Sequence, residues 1–343
     1  MEKGPRDPVA ENADRSTDLY EITDWEVRSR FDGVVNWLYY AGQSALRGLV
    51  VLVAVLVLLV QVGFGSLGLL GVQPLFAALA ALSAIPALVL AAYIWYIDVT
   101  TQEPLTLLVG TFLLGVLFAG FAGILNTVLR GPVQFLGSGF GLLPELGMAV
   151  FFFVVVGPVE ESVKLLAVRL YAYRDDRFDA VIDGAVYGAA AGLGFATIEN
   201  ALYIVQNTGS VSGTYQAITA GSGIAAVRAL AGPGHVIYSA FAGYYLGLAK
   251  FNPEDAGPIV LKGLLIATVI HATYNTLAGP VTVVISSLYG ISQFVAFVGF
   301  VVVFDGLFIL VLLKKLHAYR AAYRTAHGAG PSPSDAEKPV FER

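Results

Sequence analysis

Long apolar stretches recur from Gly48 to Lys314 and are separated by short polar connections. An α-helix needs about 20 apolar residues to cross a hydrocarbon layer of ~30 Å. Windows of that length predict about eight membrane-spanning helices. The predicted spans cover residues 48–70, 75–97, 104–129, 147–172, 180–206, 226–249, 259–279 and 291–313. The predicted fold class is therefore all-α, a polytopic transmembrane helix bundle.

The segments on either side of this region are more polar. Residues 1–46 are predicted to form an N-terminal segment, polar and disordered over residues 1–18. From Asp24 to Leu46 aromatic residues mix with Arg, which predicts an interfacial helix. Residues 47–317 form the predicted transmembrane domain, and residues 318–343, which contain Gly and Pro, are predicted to be a flexible tail.

Basic residues mark alternate connections between the predicted spans. Connections near residues 72, 210 and 285 carry no Lys or Arg. Basic residues at the other connections and at the two ends include Arg28, Arg30, Arg174, Arg177, Lys250, Lys262, Lys314 and Lys315. Arg130 and Arg228, at the edges of the outer connections, are the exceptions. The positive-inside rule then predicts a multi-pass protein of the cell membrane with both termini in the cytoplasm.

Composition agrees with a membrane protein and excludes several kinds of chemistry. The chain is 57% hydrophobic and 13% charged, whereas soluble domains average about 45–50% and about 25%. Cys is absent, which excludes disulfides, thiolate metal sites and a Cys nucleophile. The net charge of -5 argues against a nucleic-acid partner. The long apolar stretches make the lipid bilayer the expected environment.

Glu160, Glu161 and Lys164 interrupt the fourth predicted span. A charge at mid-helix costs ~2.5–3.5 kcal/mol on insertion scales, so these residues need partners or water. Glu160 and Lys164 are four residues apart and can pair, whereas Glu161 points about 100° away. The alternative is a structural ion pair at the membrane interface. Because ionisable residues within membranes are usually functional, a site is favoured.

The fifth span has a glycine face that ends near a carboxylate. Gly184, Gly188 and Gly192 recur every four residues, so another helix can pack closely there. Glu199 lies eleven residues after Gly188, within ~20° of the same face. We therefore expect Glu199 to point into the bundle, the Gly188/Gly192 face to pack tightly, and substrate to approach elsewhere.

The sixth and seventh spans each contain a His. The Gly-Pro-Gly sequence at 232–234 predicts a kink or break just before His235. His271 and Asn275 are four apart on one helix face. Counted from the basic ends, Glu160 and His271 lie about 13 Å deep, and His235 and Glu199 about 22–24 Å. The spacing alone does not bring all of them to one level.

Two other charged residues in the spans have no evident role. Arg228 lies near a helix end, where its side chain is expected to extend toward the membrane surface. Asp305 in the last span is expected to pair with Lys262 or Lys164 as part of the structure.

Four motifs on successive spans resemble the PrsW family of intramembrane proteases. The motifs are Glu160-Glu161-x2-Lys164, Phe195-x3-Glu199-Asn200, His235, and His271-x3-Asn275. The resemblance covers about residues 145–280, which would be the protease-like core. The family is similar to the wider CAAX-protease and bacteriocin-processing (CPBP) superfamily. Type II prenyl endopeptidases of that superfamily usually have Arg one place later than Lys164 in the first motif, and His at the position of Glu199. Lys164 and Glu199 therefore favour the PrsW branch.

The resemblance implies hydrolysis of a peptide bond in or next to the membrane segment of a membrane-anchored regulatory protein. Glu160 is the expected general base, with Glu161 or Glu199 orienting the water or transferring a proton. His235 and His271 would stabilise the oxyanion. The residues expected to support them are Lys164, Asn200 and Asn275.

A metal-dependent site is the other interpretation of the same residues. His235, His271, Glu160 and Glu199 form a competent ligand set for a metal such as Zn²⁺. No His-Glu-x2-His sequence occurs, which excludes a zincin-type helix. The sequence slightly favours a metalloprotease and leaves the metal-free mechanism open. Outside proteolysis, the alternatives are an ion- or proton-coupled transporter, and a catalytically inert scaffold of the same fold.

Overall fold

The structure is a computed structural model that describes residues 7–14, 17–42, 74–100, 103–140, 143–208 and 214–328. Within these residues the regular elements are all helical, as the sequence predicts. The α-helices are α1 Pro8–Asn12, α2 Arg30–Gly42, α3 Pro74–Tyr96, α4 Leu105–Gly139, α5 Pro144–Phe151, α6 Gly157–Leu170, α7 Val181–Thr208, α8 Thr214–Phe251, α9 Ala256–Tyr289 and α10 Gln293–Gly328. A π-helical turn, Phe152–Val156, joins α5 to α6, and a 3₁₀ turn, Ala172–Arg174, follows α6.

Six stretches of the described residues are helical, long and apolar enough to cross a membrane. They are α3, α4, α7, α9, α10 and the continuous run from α5 to Arg174. Helix α8 lies where the sixth span is predicted, but its Gly, Pro, His and Tyr residues make it less apolar. The predicted first span, residues 48–70, lies outside the described residues. The polytopic helical fold is therefore confirmed, whereas the count of eight and the orientation stay predictions.

Helix α7 lies at the centre of the bundle. Its most apolar window is 83% buried, against 28% for the corresponding windows of α3 and α10. The outer helices expose apolar side chains such as Leu82, Val303 and Leu310. Because the helices are long enough to span a bilayer, this apolar outer surface fits contact with lipid.

Helices α7 and α8 pack backbone to backbone through glycine. A Cβ atom added to Gly188 would lie 2.2 Å from the carbonyl oxygen of Ser239. One added to Gly192 would lie 2.4 Å from the carbonyl oxygen of His235. Distances this short exclude any side chain, so the predicted tight packing of the glycine face is confirmed. The contact also holds the backbone of His235 against α7.

The kink or break predicted just before His235 in α8 is not a break in the helix. The helix continues from Thr214 to Phe251 with Pro233 in its interior. Proline removes one backbone hydrogen bond, and α8 is held by α3 and α7 on either side of that point. His235 is therefore presented by a continuous helix.

Residues 7–14 are ordered, which corrects the prediction of disorder over residues 1–18. The Asp7 side chain is 1% exposed. Its carboxylate accepts hydrogen bonds from the backbone N–H of Val181 at 2.8 Å and from the hydroxyl of Tyr319 at 2.9 Å. A polar segment is thus fixed because its acid accepts from the first N–H of α7 and from the Tyr319 hydroxyl of α10.

Helix α2 begins at Arg30, later than the interfacial helix predicted from Asp24. Ser29 and Asp32 form a capping box: Ser29 N–H donates to Asp32 Oδ2 at 2.7 Å, and Asp32 N–H donates to Ser29 Oγ at 3.0 Å. This reciprocal pair sets the helix start. The exposed Trp37 on α2 fits the predicted interfacial position.

Helix α10 continues to Gly328, beyond residue 318, where the sequence predicts a flexible tail. Tyr319 of α10 is fully buried, and its hydroxyl donates to Asp7. The N-terminal segment and the end of α10 therefore lie at the same end of the bundle.

Candidate active site

Four helices bring together most of the predicted site residues, although their depths counted along the predicted spans differ. Five of the side chains are buried, with exposed fractions between 0% and 6%, and Glu199 is 21% exposed. The residues are Glu160, Glu161 and Lys164 on α6, Glu199 on α7, His235 on α8 and His271 on α9.

The π-helical turn before α6 positions the paired carboxylates. Such turns inside α-helices occur frequently at functional sites. Helix α6 starts at Gly157, where an added Cβ would lie 3.0 Å from the carbonyl oxygen of Thr268 on α9. This close approach places Glu160 and Glu161 next to His271.

Lys164 and His271 both bind Glu161. Lys164 Nζ donates to Glu161 Oε1 at 2.7 Å, and His271 Nδ1 lies 2.7 Å from the same oxygen. The predicted pair of Lys164 with Glu160 is the longer contact, at 3.9 Å. The ammonium therefore compensates mainly the charge of Glu161, which is fully buried.

His235 bridges Lys164 and Glu199. Its Nδ1 lies 2.9 Å from Lys164 Nζ, and its Nε2 lies 2.7 Å from Glu199 Oε2. An ammonium group can only donate, so Nδ1 accepts, and Nε2 carries the hydrogen that it donates to Glu199. The imidazole is thus fixed in one tautomer and one orientation.

Arg228 belongs to this cluster, which corrects the expectation that it extends to the membrane surface. Its guanidinium donates to Glu199 Oε2 and, at 2.9 Å, to Asn200 Oδ1. The side chain is 12% exposed. Asn200 in turn donates to Ser83 Oγ of α3 at 3.1 Å. Glu199 and Asn200, adjacent residues of α7, thereby hold one guanidinium on two sides. The supporting role of Asn200 stays a prediction.

Asn126 of α4 is a site residue that the sequence analysis missed. Its Nδ2 donates to Glu160 Oε1 at 3.0 Å. The only signal in the sequence is a polar amide within the apolar third span. Asn275, by contrast, was predicted to support the site, but its side chain makes no hydrogen bond to a described residue.

Asp305 pairs with neither of its predicted partners. Lys262 binds Glu21 and Asp32, which belong to the N-terminal segment, and Lys164 binds Glu161. Asp305 is 4% exposed, and its oxygens accept no hydrogen bond within the part of the chain that the structure describes. The predicted pairs failed because the N-terminal segment supplies the carboxylates that meet Lys262.

Glu160, His235 and His271 can supply one ligand atom each, with all three atoms within 4.8 Å of one another. Two imidazoles and a carboxylate are a common ligand set of catalytic zinc. Glu160 Oε2 has no hydrogen-bond partner among the described residues and lies 3.8 Å from His271 Nε2.

The contacts around this group also fit a metal. The Glu161 carboxylate on His271 Nδ1 is the kind of partner that orients metal-binding histidines. Lys164 contacts His235 Nδ1, so a metal bound through that nitrogen would replace the ammonium there. Glu199, the fourth predicted ligand, is not part of the group and binds Arg228 and His235 instead.

The fold and the site define a polytopic helical membrane protein with a buried carboxylate–imidazole centre that suits activation of water. Residues 103–307 match the PrsW family of intramembrane metalloproteases. This match covers more than half of the chain, so the chain belongs to the PrsW family and is an intramembrane peptidase.

Individual relatives support this assignment. The chain is 32% identical to Protease PrsW of Bacillus subtilis (strain 168) over 197 residues, 55% of this chain and 78% of that protein. It is 30% identical to Protease PrsW of Geobacillus kaustophilus over 193 residues, 56% of this chain and 76% of that protein. No solved structure matches the chain. The transporter and inert-scaffold alternatives are not favoured, and the link to the CPBP superfamily stays a prediction.

Proposed function

We propose that this peptidase hydrolyses a peptide bond in or next to the membrane segment of a membrane-anchored regulatory protein, using a divalent metal such as Zn²⁺. Glu160, His235 and His271 would hold the metal. The observation that carries this proposal is their convergence: three buried side chains from three helices offer ligand atoms within 4.8 Å.

Each residue around this group has a separate task in the proposal. When bound, the metal would supply Lewis acidity for the scissile carbonyl and the attacking water. Glu161 orients His271 through Nδ1, and Lys164 balances the charge of Glu161. Asn126 orients the Glu160 carboxylate through Oε1 and leaves Oε2 toward His271.

Glu199 is the proposed general base and acid in place of Glu160, because Glu160 would hold the metal. It is the most exposed carboxylate of the site, at 21% against 6% for Glu160 and 0% for Glu161. Arg228 and His235 both contact its Oε2. Oε1 is therefore free of those contacts and can accept the proton of the attacking water and donate it to the leaving amine.

The test is cleavage of a membrane-anchored substrate co-expressed with the full chain, wild type beside Glu160→Gln and His271→Ala. We expect both variants to lose processing, because each removes a ligand atom. Glu254→Gln, an exposed carboxylate on the α8–α9 connection, is the matched control and should process normally. Normal processing by both site variants would show that the assignment of the site is wrong.

Metal dependence is measured on the same detergent-purified proteins. Metal analysis should find about one Zn²⁺ or comparable ion per wild-type chain and less in His271→Ala, and a chelator should stop cleavage reversibly. If processing needs Glu160 and His271 but survives complete chelation with no metal bound, the metal-free mechanism would replace this one.

A further inference from the structure

A second cluster of carboxylates lies where α3, α4 and α7 meet near the N-terminal segment. Asp98 follows α3, Glu103 precedes α4, and Asp183 is in the first turn of α7. Glu103 is 2% exposed and Asp183 is fully buried. One oxygen from each of the three side chains lies within 4.8 Å of the others. The proposed metalloprotease mechanism uses none of these residues.

Protein donors fix one oxygen of each carboxylate. Asp98 Oδ1 accepts from the backbone N–H of Thr100 at 3.0 Å and from its hydroxyl at 2.8 Å. Asp183 Oδ2 accepts from the backbone N–H of Asp179 and of Ala180, both at 2.8 Å. Glu103 Oε2 accepts from a buried tyrosine hydroxyl of α7, that of Tyr187. The three carboxylates are therefore held in defined orientations.

The remaining oxygens are the unusual feature. Glu103 Oε1 and Asp98 Oδ2 are buried, and no described residue donates to them. Asp183 Oδ1 has one contact, from the Thr100 hydroxyl at 3.2 Å. Buried polar atoms in native proteins are nearly always satisfied, so unpaired oxygens on two neighbouring carboxylates indicate a missing partner.

That partner has to be positive, and no described side chain supplies it directly. Lys250 is close enough to interact electrostatically with Asp183 and Asp179. Its ammonium, however, donates to the backbone carbonyls of Tyr173 at 3.1 Å and Phe178 at 2.5 Å. Three like charges within 4.8 Å repel one another strongly away from water.

We propose that Asp98, Glu103 and Asp183 form a binding site for a hard divalent cation, with Ca²⁺ the best fit. The donors are carboxylate oxygens with the Thr100 hydroxyl beside them, and Ca²⁺ takes oxygen ligands at about 2.3–2.6 Å. Oxygens on opposite sides of such an ion are up to ~5 Å apart, which accommodates the observed separation. Zn²⁺ prefers nitrogen and sulfur ligands, which this cluster lacks.

The site is separate from the proposed catalytic centre. Asp183 and Glu199 are sixteen residues apart on α7, or ~24 Å along the helix. A cation here joins the α3–α4 connection to the start of α7. Those helices carry Asn126 on α4 and Glu199 on α7, so the ion stabilises the frame that holds the site and is not itself needed for peptide hydrolysis.

The experiment uses the full chain, purified in detergent and stripped with a chelator. Equilibrium dialysis with radioactive Ca²⁺ should find one ion per wild-type chain, with a Kd between about 10⁻⁵ and 10⁻³ M. Glu103→Gln should bind Ca²⁺ at least about tenfold more weakly, because it loses one charged ligand. Glu254→Gln should bind like the wild type. Ca²⁺ should also raise the Tm of the wild type and of the control but not of Glu103→Gln.

Three outcomes would overturn the proposal. In the first, the wild type binds neither Ca²⁺ nor Mg²⁺ at about 10 mM, beyond the weakest protein sites. In the second, Glu103→Gln binds as tightly as Glu254→Gln. In the third, only Zn²⁺ raises the Tm, and equally in all variants, which would assign the ion to the His-containing group. If Glu103→Gln does not fold, judged by circular dichroism, Asp98→Asn takes its place with the same expectations. A site that prefers Mg²⁺ and is weakened by these variants would support the cation class and correct its identity.

Discussion

The two carboxylate clusters lie near opposite ends of α7, and their charges are compensated in opposite ways. Around Glu161 and Glu199, positive groups within the protein meet the buried acids: Lys164 contacts Glu161, and Arg228 contacts Glu199. Around Asp183, only hydroxyl and backbone N–H donors reach the acids. Buried carboxylate oxygens without a hydrogen-bond partner among the described residues occur in both clusters. The charges of Glu161 and Glu199 are thus compensated by side chains of the protein, whereas the charges of the Asp183 cluster depend on a bound proton or cation.

The difference explains why the same residue type has different consequences at the two ends of one helix. A buried acid with an ion-pair partner stabilises the fold as part of a network, and its removal leaves the partner charge uncompensated. A buried acid beside other acids destabilises the fold until a proton or a cation arrives. Substitutions that neutralise an acid should therefore lower stability in the first cluster and leave it unchanged or raise it in the second.

Glu161→Gln and Glu103→Gln, compared in the presence of chelator, provide that contrast. Glu161→Gln leaves Lys164 buried without its main partner, which should lower stability by about 3–5 kcal/mol and abolish cleavage. Glu103→Gln removes a like charge and should leave the Tm unchanged or raised. Thermal unfolding in detergent measures both. Equal losses in the two variants would mean that the clusters do not differ in this way.

The α7–α8 contact has glycines near both of its ends, so each end can be perturbed separately. A Cβ on Gly192 would meet the His235 carbonyl at 2.4 Å, and one on Gly247 would meet the Val181 carbonyl at 2.2 Å. Both Ala variants should lose about 1–3 kcal/mol of stability through overpacking. Only Gly192→Ala displaces His235, so only it should reduce cleavage below the unfolding temperature.

Gly123→Ala on α4 is the control for that pair, because an added Cβ there meets nothing within 4 Å. It should retain stability and cleavage. If Gly247→Ala reduced cleavage as much as Gly192→Ala, the position of His235 would not be the reason.

Asp7 is a buried acid outside the spans, and it predicts a pH dependence. Burial raises the pKa of Asp7 to about 6 despite hydrogen bonds from Val181, Val9 and Tyr319. The folded segment therefore binds its proton at higher pH than the unfolded chain, whose pKa is 3.8. Docking of residues 7–14 should strengthen as pH falls from about 7 to about 5, by at most ~1.4 kcal/mol per pKa unit.

Hydrogen exchange of residues 8–14, with rates corrected for pH, measures this change. Asp7→Asn keeps an oxygen acceptor without the titration, so its docking should be independent of pH over that range. The same pH dependence in Asp7→Asn would assign it to another group, and the first candidate is Asp179, whose charge raises the pKa of Asp7.

Asn126→Ala is expected to have the smallest effect. Loss of one hydrogen bond to the Glu160 carboxylate should reduce cleavage about two- to tenfold, equivalent to about 0.5–1.5 kcal/mol. Thr127→Ala, whose hydroxyl bonds only to the backbone of its own helix, is the matched control. Single-turnover cleavage rates compare them. Equal rates in the two variants would remove Asn126 from the site.

The sequence alone predicted the fold class, and it selected most of the residues that the structure brings together in the candidate site. Helices of the required length follow from the long apolar stretches, because a single segment that crosses a bilayer satisfies its own backbone hydrogen bonds by forming a helix. Glu160, Glu161, Glu199, His235 and His271 could be selected because ionisable residues inside spans need partners. The glycine face of α7 also followed directly from its four-residue spacing.

The tertiary structure decided which charges meet. Helix periodicity relates residues within one helix, so it could not choose between Glu160 and Glu161 for Lys164, or assign Arg228 to Glu199. The folded bundle brought together residues whose depths, counted along the predicted spans, disagreed. Asn126 escaped notice because one amide in an apolar span has no periodic signal.

The N-terminal segment shows the same limit more strongly. Its first eighteen residues were predicted to be disordered, yet Asp7 is buried because its partner Tyr319 lies on α10. Asp32, in the predicted interfacial helix, is buried because its partner Lys262 lies on α9. The acidic cluster of Asp98, Glu103 and Asp183 was likewise invisible, since its members belong to separate connections and helices. Local sequence sets the length and polarity of each helix, whereas the electrostatic partner of a buried charge depends on long-range packing that only the folded bundle defines.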